Sequence, residues 1–145
     1  MNTNLETAKM HTRLLLVILW VFYSLNFMYA DQLSSLEPGV LEMTMSGYVA
    51  GGTVKVTDGF LLGTAMTMEI VFLMIVLSWV LKYRASRWAN IIAGTLFVAF
   101  QIYSLFLGTP SPTYIFYTTI EVAGLLLVVW YAWKWKPEAA PAVGS

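Results

Sequence analysis

The chain has 145 residues, 59% of them hydrophobic and 15% aromatic, and only 11% carry charge, less than half of what a water-soluble domain carries. Eight Lys and Arg balance eight Asp and Glu, so no basic surface exists for a nucleic acid. Cysteine is absent and the single histidine, His11, lies outside the apolar runs, which removes disulfides, thiol catalysis, thiolate metal sites and a histidine-ligated haem or metal inside a membrane.

What remains is a chain whose solvent is lipid. The first apolar run covers 14–30. A basic segment ahead of it and Ala30 at its end suit a signal peptide, but bulky Met28 at the minus-three position and the run's length read as a retained first helix. The following loop, 31–57, contains Pro38-Gly39-Val40-Leu41-Glu42-Met43-Thr44-Met45. That stretch reads either as a short helix on the membrane surface with Pro38 in its first turn, or as an irregular loop. Gly47, Gly51 and Gly52 then supply a flexible return. Spans two, three and four are set at 58–82, 87–108 and 113–134, and each reaches the roughly 20 residues that cross a bilayer. No run alternates as a barrel strand does, and none has the polar face of a soluble bundle helix. The Trp130–Lys136 segment reads as an interfacial aromatic belt with snorkelling lysines. The Ala/Pro-rich tail, 137–145, is predicted to be disordered.

Lys9, Arg13, Lys82, Arg84, Arg87, Lys134 and Lys136 fall on one side of these spans and only Lys55 on the other, a distribution that puts both termini in the cytoplasm and loop 31–57 outside. The predicted fold is an all-α membrane protein, an antiparallel up-down bundle of four transmembrane helices forming one domain over 1–136. No internal repeat is visible.

Polar groups inside lipid are costly and therefore informative. Glu69 lies mid-way along span two and Glu121 just outward of the middle of span four, at similar depth; Asn26 and Gln101 lie nearer the outer ends of spans one and three. Helical spacing extends them into stripes: Phe22, Tyr23, Asn26 and Tyr29; Leu62, Ala65, Met66, Glu69 and Phe72; Asn90, Gly94, Phe97, Gln101 and Ser104; Tyr114, Tyr117, Thr118, Glu121 and Gly124. If every stripe turns inward, they line a pocket nearer the outer face. The candidates for binding a ligand or a proton are then Glu69, Glu121, Asn26, Gln101, Tyr23, Tyr117 and Thr118. In a square bundle Glu69 and Glu121 are expected to face each other across the axis, on helices about 11–14 Å apart. The structural alternative is that these groups satisfy one another and hold the helices in register. No metal site, cofactor or catalytic residue is predicted.

Several segments together resemble a family of small bacterial four-span membrane proteins of unknown function: Asn4-Leu5-Glu6, Leu19-Trp20, Met28-Tyr29-Ala30-Asp31, Pro38-Gly39, Gly59-Phe60-Leu61-Leu62-Gly63-Thr64, Arg87-Trp88-Ala89-Asn90-Ile91-Ile92-Ala93-Gly94 and Trp130-Tyr131-Ala132-Trp133-Lys134-Trp135. More distantly the layout is similar to DoxX-like four-helix membrane proteins. The resemblance implies the four-span fold and residence in a bacterial inner membrane, and it supplies no activity. The expected function is a non-enzymatic bundle that binds a lipid-like or small amphipathic ligand or a membrane partner, with the bilayer and a second copy of the chain as further expected partners. The alternatives are a proton-coupled small-molecule transporter or channel using Glu69 and Glu121, and an isomerase-like intramembrane enzyme using both for acid–base work.

Overall fold

The computed structural model describes the backbone of residues 3–136 and the side chains from residue 10 onward; the tail read as disordered lies outside the described residues. In chain order the elements are α1 (Thr3–Ser35), α2 (Val40–Met45), β1 (Tyr48–Val49), β2 (Val54–Lys55), α3 (Asp58–Val80), α4 (Tyr83–Ser104) and α5 (Pro112–Lys134).

The helix α1 runs for 33 residues and outlasts its apolar run at both ends. Leu5, Glu6, Ala8, Lys9 and Met10 are good helix formers that extend it backwards. Forward, it continues until the approach to Pro38, whose ring disfavours helical geometry in the residue before it. Met10–Ser35, α3 and α5 are each long and apolar enough to cross a membrane. The helix α4, expected as a fourth span, has 22 residues but is not in that class. Its polar residues are the reason: Arg87 near its start, and Ser86, Asn90 and Gln101 on an inward face that also holds Gly94 and Phe97. Polar groups lie inside and Ile92, Leu96, Phe100 and Ile102 lie outside, the inverse of a soluble amphipathic helix.

The four long helices pack in a ring: α1 against α3 and α5, and α4 against α5 and α3, so α1 faces α4 and α3 faces α5 across the axis. The α3–α4 seam is the thinnest. Leu16, Trp20 and Tyr23 of α1 meet Val71 and Met74 of α3, Phe97 of α4, and Leu125, Val128 and Ala132 of α5 in one core. Phe97 stands edge-on to Trp20 at 6.0 Å and to Tyr23 at 5.8 Å, a favoured aromatic arrangement. Close approach of α4 and α5 depends on Gly94, where a Cβ would stand 2.8 Å from Val129 Cγ2.

One end of the bundle is basic. Arg13 Nη1 donates to Trp79 O at 3.0 Å, and Arg87 donates through Nε to Ala132 O at 3.2 Å and through Nη2 to Trp133 O at 3.1 Å. These carbonyls belong to the last turns of α3 and α5, which lack intrahelical partners and carry partial negative charge. Tyr83 Oη donates to Trp135 O at 2.6 Å at the same end, and Lys134 Nζ lies 4.1 Å from the centre of the Trp130 ring.

The opposite end is covered by loop 36–57. A six-residue helix forms within it, but Pro38 precedes the helix instead of sitting in its first turn. Gly39, at φ 81°, makes the entry, a left-handed conformation that proline's fixed φ forbids. The loop also holds an antiparallel ribbon not expected from the sequence, pairing Tyr48 with Lys55 and Val49 with Val54. Gly108, between α4 and α5, packs on that ribbon's turn: at φ 78° its missing Cβ would lie 2.8 Å from Ala50 O. Ser111 starts α5, accepting from the Tyr114 N–H at 3.1 Å and donating to Glu37 Oε1 at 2.6 Å.

Candidate functional site: a buried carboxyl between α1, α4 and α5

The site is built where three stripes converge. Helical spacing sets Gln101 two turns beyond Gly94 on the inward face of α4, and Thr118, Glu121 and Gly124 on one face of α5. Tyr23 enters from α1. Tyr23 is fully buried, and Gln101, Glu121 and Thr118 are 2–3% exposed. Gln101 Nε2 donates to Glu121 Oε2, which links α4 to α5. The other carboxyl oxygen, Glu121 Oε1, and the Tyr23 hydroxyl are both buried and have no hydrogen-bond partner; the two groups lie within electrostatic reach of each other, as do Tyr23 and Tyr114. Towards the covered end the polar line continues. Tyr114 Oη donates to Ser104 Oγ at 2.6 Å, and Ser104 Oγ to Gln101 O at 2.7 Å.

Four of the sequence candidates, Tyr23, Gln101, Thr118 and Glu121, therefore share one neighbourhood. Three do not join it. Asn26 is half-buried and bonds its own helix, its Nδ2 donating to Phe22 O at 2.9 Å. Tyr117 is half-buried against Tyr29, ring to ring at 6.1 Å. Glu69 is exposed. The expectation that it faces Glu121 across the axis is corrected by the rotation of α3, which turns Val71, Met74 and Ser78 inward. The helix is apolar on nearly every side, so packing shape sets its rotation and a lone carboxyl does not.

A second polar cluster lies nearer the basic end and was only partly visible in the sequence. Asn90 Oδ1 accepts from Trp20 Nε1 at 2.7 Å and from Ser78 Oγ at 3.0 Å. Asn90 Nδ2 donates to Ser86 O at 2.8 Å, and Ser86 Oγ to Ser78 O at 3.1 Å. Asn90 belongs to the α4 stripe; the signal for its partners was the indole N–H of Trp20 inside an apolar run, which needs an acceptor once buried. No side-chain nitrogen or oxygen of this cluster is left without a partner, which makes it a fastener. A groove opens elsewhere, on the outer side of the α3–α4 seam, with a volume of about 420 Å³ and walls of Thr67 and Ile70 from α3 and Ile92, Leu96, Phe97 and Phe100 from α4. Among the described residues no group of three or more His, Cys, Asp or Glu is placed to hold a metal ion.

Fold and site together define a small helical-bundle protein with membrane-length helices and a carboxyl buried at its centre. The chain belongs to the family of unknown function DUF6326, which it matches over residues 5–141. No curated protein and no solved structure matches it.

Proposed function

We propose that this chain is an integral membrane protein of a bacterial inner membrane, with all four long helices crossing the bilayer and the basic end in the cytoplasm, and that it binds a lipid-like chain in the α3–α4 groove. Support for the crossing is the outward surface of the bundle, where Leu25, Leu62, Leu96, Phe116 and Leu126 are among many exposed large hydrophobics, far beyond what a monomer shows to water. The gathering of Arg13, Arg87 and Lys134 at one end supports the orientation.

The groove carries the ligand assignment. Its volume of about 420 Å³ falls within the range of roughly 300–1,000 Å³ for ligand sites. Its one polar lining group, the Thr67 hydroxyl, donates to Gly63 O at 2.8 Å within its own helix. Walls of this kind recognise hydrocarbon and little else. The ligand therefore sits between the helices on the lipid side, not in an outward-facing interior pocket, since the interior is filled by Trp20, Tyr23 and Phe97. In phosphatidylcholine–phosphatidylglycerol vesicles, a phospholipid carrying a photoactivatable group on its acyl chain is expected to label segments 67–70 and 89–100. Ala93→Phe, which fills the groove, is expected to lower that labelling at least five-fold with the fold intact. Equal labelling of both proteins overturns the assignment.

One observation favours a second reading, proton-coupled transport: Glu121 Oε1 and Tyr23 Oη are buried and unpartnered, as a group held ready for a proton would be. The version using two carboxyls, and the acid–base isomerase with it, requires Glu69 and Glu121 in one cavity, and the rotation of α3 separates them.

A further inference from the structure

We infer that the outward face of α3 around Glu69 is the seam of a homodimer, in which two copies related by a two-fold axis along the membrane normal pair their Glu69 carboxyls. The inference rests on the membrane reading above.

Glu69 is the twelfth of the 23 residues of α3, so about 16 Å of helix separates it from either end. At 100° per residue it lies roughly 140–200° round the helix from Val71, Met74 and Ser78, the buried residues of α3. It therefore points straight away from the bundle. Its own face carries Leu62, Ala65, Phe72, Leu73 and Val76, all exposed and all apolar. No described residue gives it a hydrogen bond or an ion pair. A lysine could reach the interface along its four-carbon stem, but glutamate has two methylenes and cannot span that distance. In a bilayer a carboxyl so placed has neither water nor protein to bond, which is the condition lipid-facing side chains avoid. Its partner must come from another molecule.

Symmetry identifies that molecule. A two-fold axis along the membrane normal leaves every residue of both copies at equal depth, and it applies one patch to itself. A second copy therefore delivers a group to Glu69 at the right level without further design. The group it delivers is self-complementary, since a protonated carboxyl holds one O–H donor and retains acceptor capacity. Two such groups exchange two hydrogen bonds, each O–H to the other's carbonyl oxygen. Ala65, one turn away on the same face, is small enough to let the two backbones approach beside the pair. Leu62, Leu73 and Val76 then pack above and below. The helix is also the one with most surface to spare: 11% of its most apolar window is buried inside the bundle, against 28% for α1 and 33% for α5.

The chain has no cysteine, so single-cysteine variants of the full-length protein report directly. In phosphatidylcholine–phosphatidylglycerol vesicles, Ala65→Cys is expected to cross-link between copies under mild oxidation, while Ile18→Cys on α1 and Leu126→Cys on α5 are not. Added to Ala65→Cys, Glu69→Leu is expected to cut the cross-linked fraction at least ten-fold. Glu69→Gln should retain most of it, because a carboxamide pair is also self-complementary. Subunit counting at increasing lipid dilution should give dimers that Glu69→Leu renders monomeric. A protein that stays in the membrane through alkaline carbonate but is monomeric, that cross-links equally from α1 or α5, or that dimerises undiminished with Glu69→Leu overturns the seam and leaves the membrane reading standing. A protein stripped by carbonate overturns both.

Discussion

Glu121 spends one carboxyl oxygen on Gln101 and leaves the other unpartnered in a closed interior. Substitutions divide its fastening role from its capacity to titrate. Glu121→Gln keeps an acceptor for the Gln101 amide and removes titration, whereas Glu121→Leu strands that amide in the core. The expected outcome in thermal unfolding of the detergent-solubilised protein is a Gln variant within about 1 kcal/mol of the parent and a Leu variant lower by about 1–3 kcal/mol, the cost of a buried unsatisfied polar group. If the parent also passes protons into liposomes and Glu121→Gln does not, the transport reading displaces the lipid-binding one. At this scale the sequence was legible wherever a helix mixed polar and apolar residues. The helical spacing of Asn90, Gly94, Gln101 and Ser104, at steps of four, seven and three, marked the inward face of α4, and the three-residue steps of Thr118, Glu121 and Gly124 marked that of α5. It was not legible at Glu69, because α3 offers no contrast between its faces to orient it. Nor was it at Asn26, whose amide folds back on the carbonyl one turn earlier, a local bond that spacing does not reveal.

The four long helices were legible in placement, three of them with the length and apolarity of a span, because runs of about 20 apolar residues have few alternatives. Their ends were less so. The helix α1 extends past its apolar run since polar helix formers cost little in water, and hydropathy registers only the apolar part. The ribbon escaped notice because its strands are two residues each, too short for alternation to show, and because contact with Gly108 helps to hold it. That contact is testable. Gly108→Ala places a Cβ against Ala50 O and strains a left-handed backbone, at a cost on the order of 1–3 kcal/mol. Hydrogen exchange should speed up across the ribbon amides of 48–55 while the amides of α4 and α5 interiors stay protected. Unchanged exchange at the ribbon would mean that Gly108 does not hold it.

For the whole molecule, the sequence predicted one side for seven of eight basic residues, and Arg13 lies over the Trp135 ring at the end where Arg13 and Arg87 satisfy helix carbonyls. Orientation follows if that end is cytoplasmic. Ser35 and Ala85 are exposed at opposite ends of the bundle. In intact cells an impermeant thiol reagent should label Ser35→Cys at once and Ala85→Cys only after permeabilisation; the reverse pattern inverts the topology.

The inward polarity of α4 bears on how the chain is made. The preceding helix, α3, is long and apolar enough to cross a membrane, but α4 carries Asn90 and Gln101 inward, and a two-residue link, Leu81 and Lys82, ties the two together. Asn90 finds Trp20 and Ser78 on helices already synthesised. Gln101 must wait for Glu121, on the helix that follows. If the four helices cross a bilayer as proposed, then until α5 arrives one flank of the nascent bundle keeps an open amide at a level where lipid offers it nothing, and whatever insertion machinery escorts the chain has to shelter that amide until α5 closes over it.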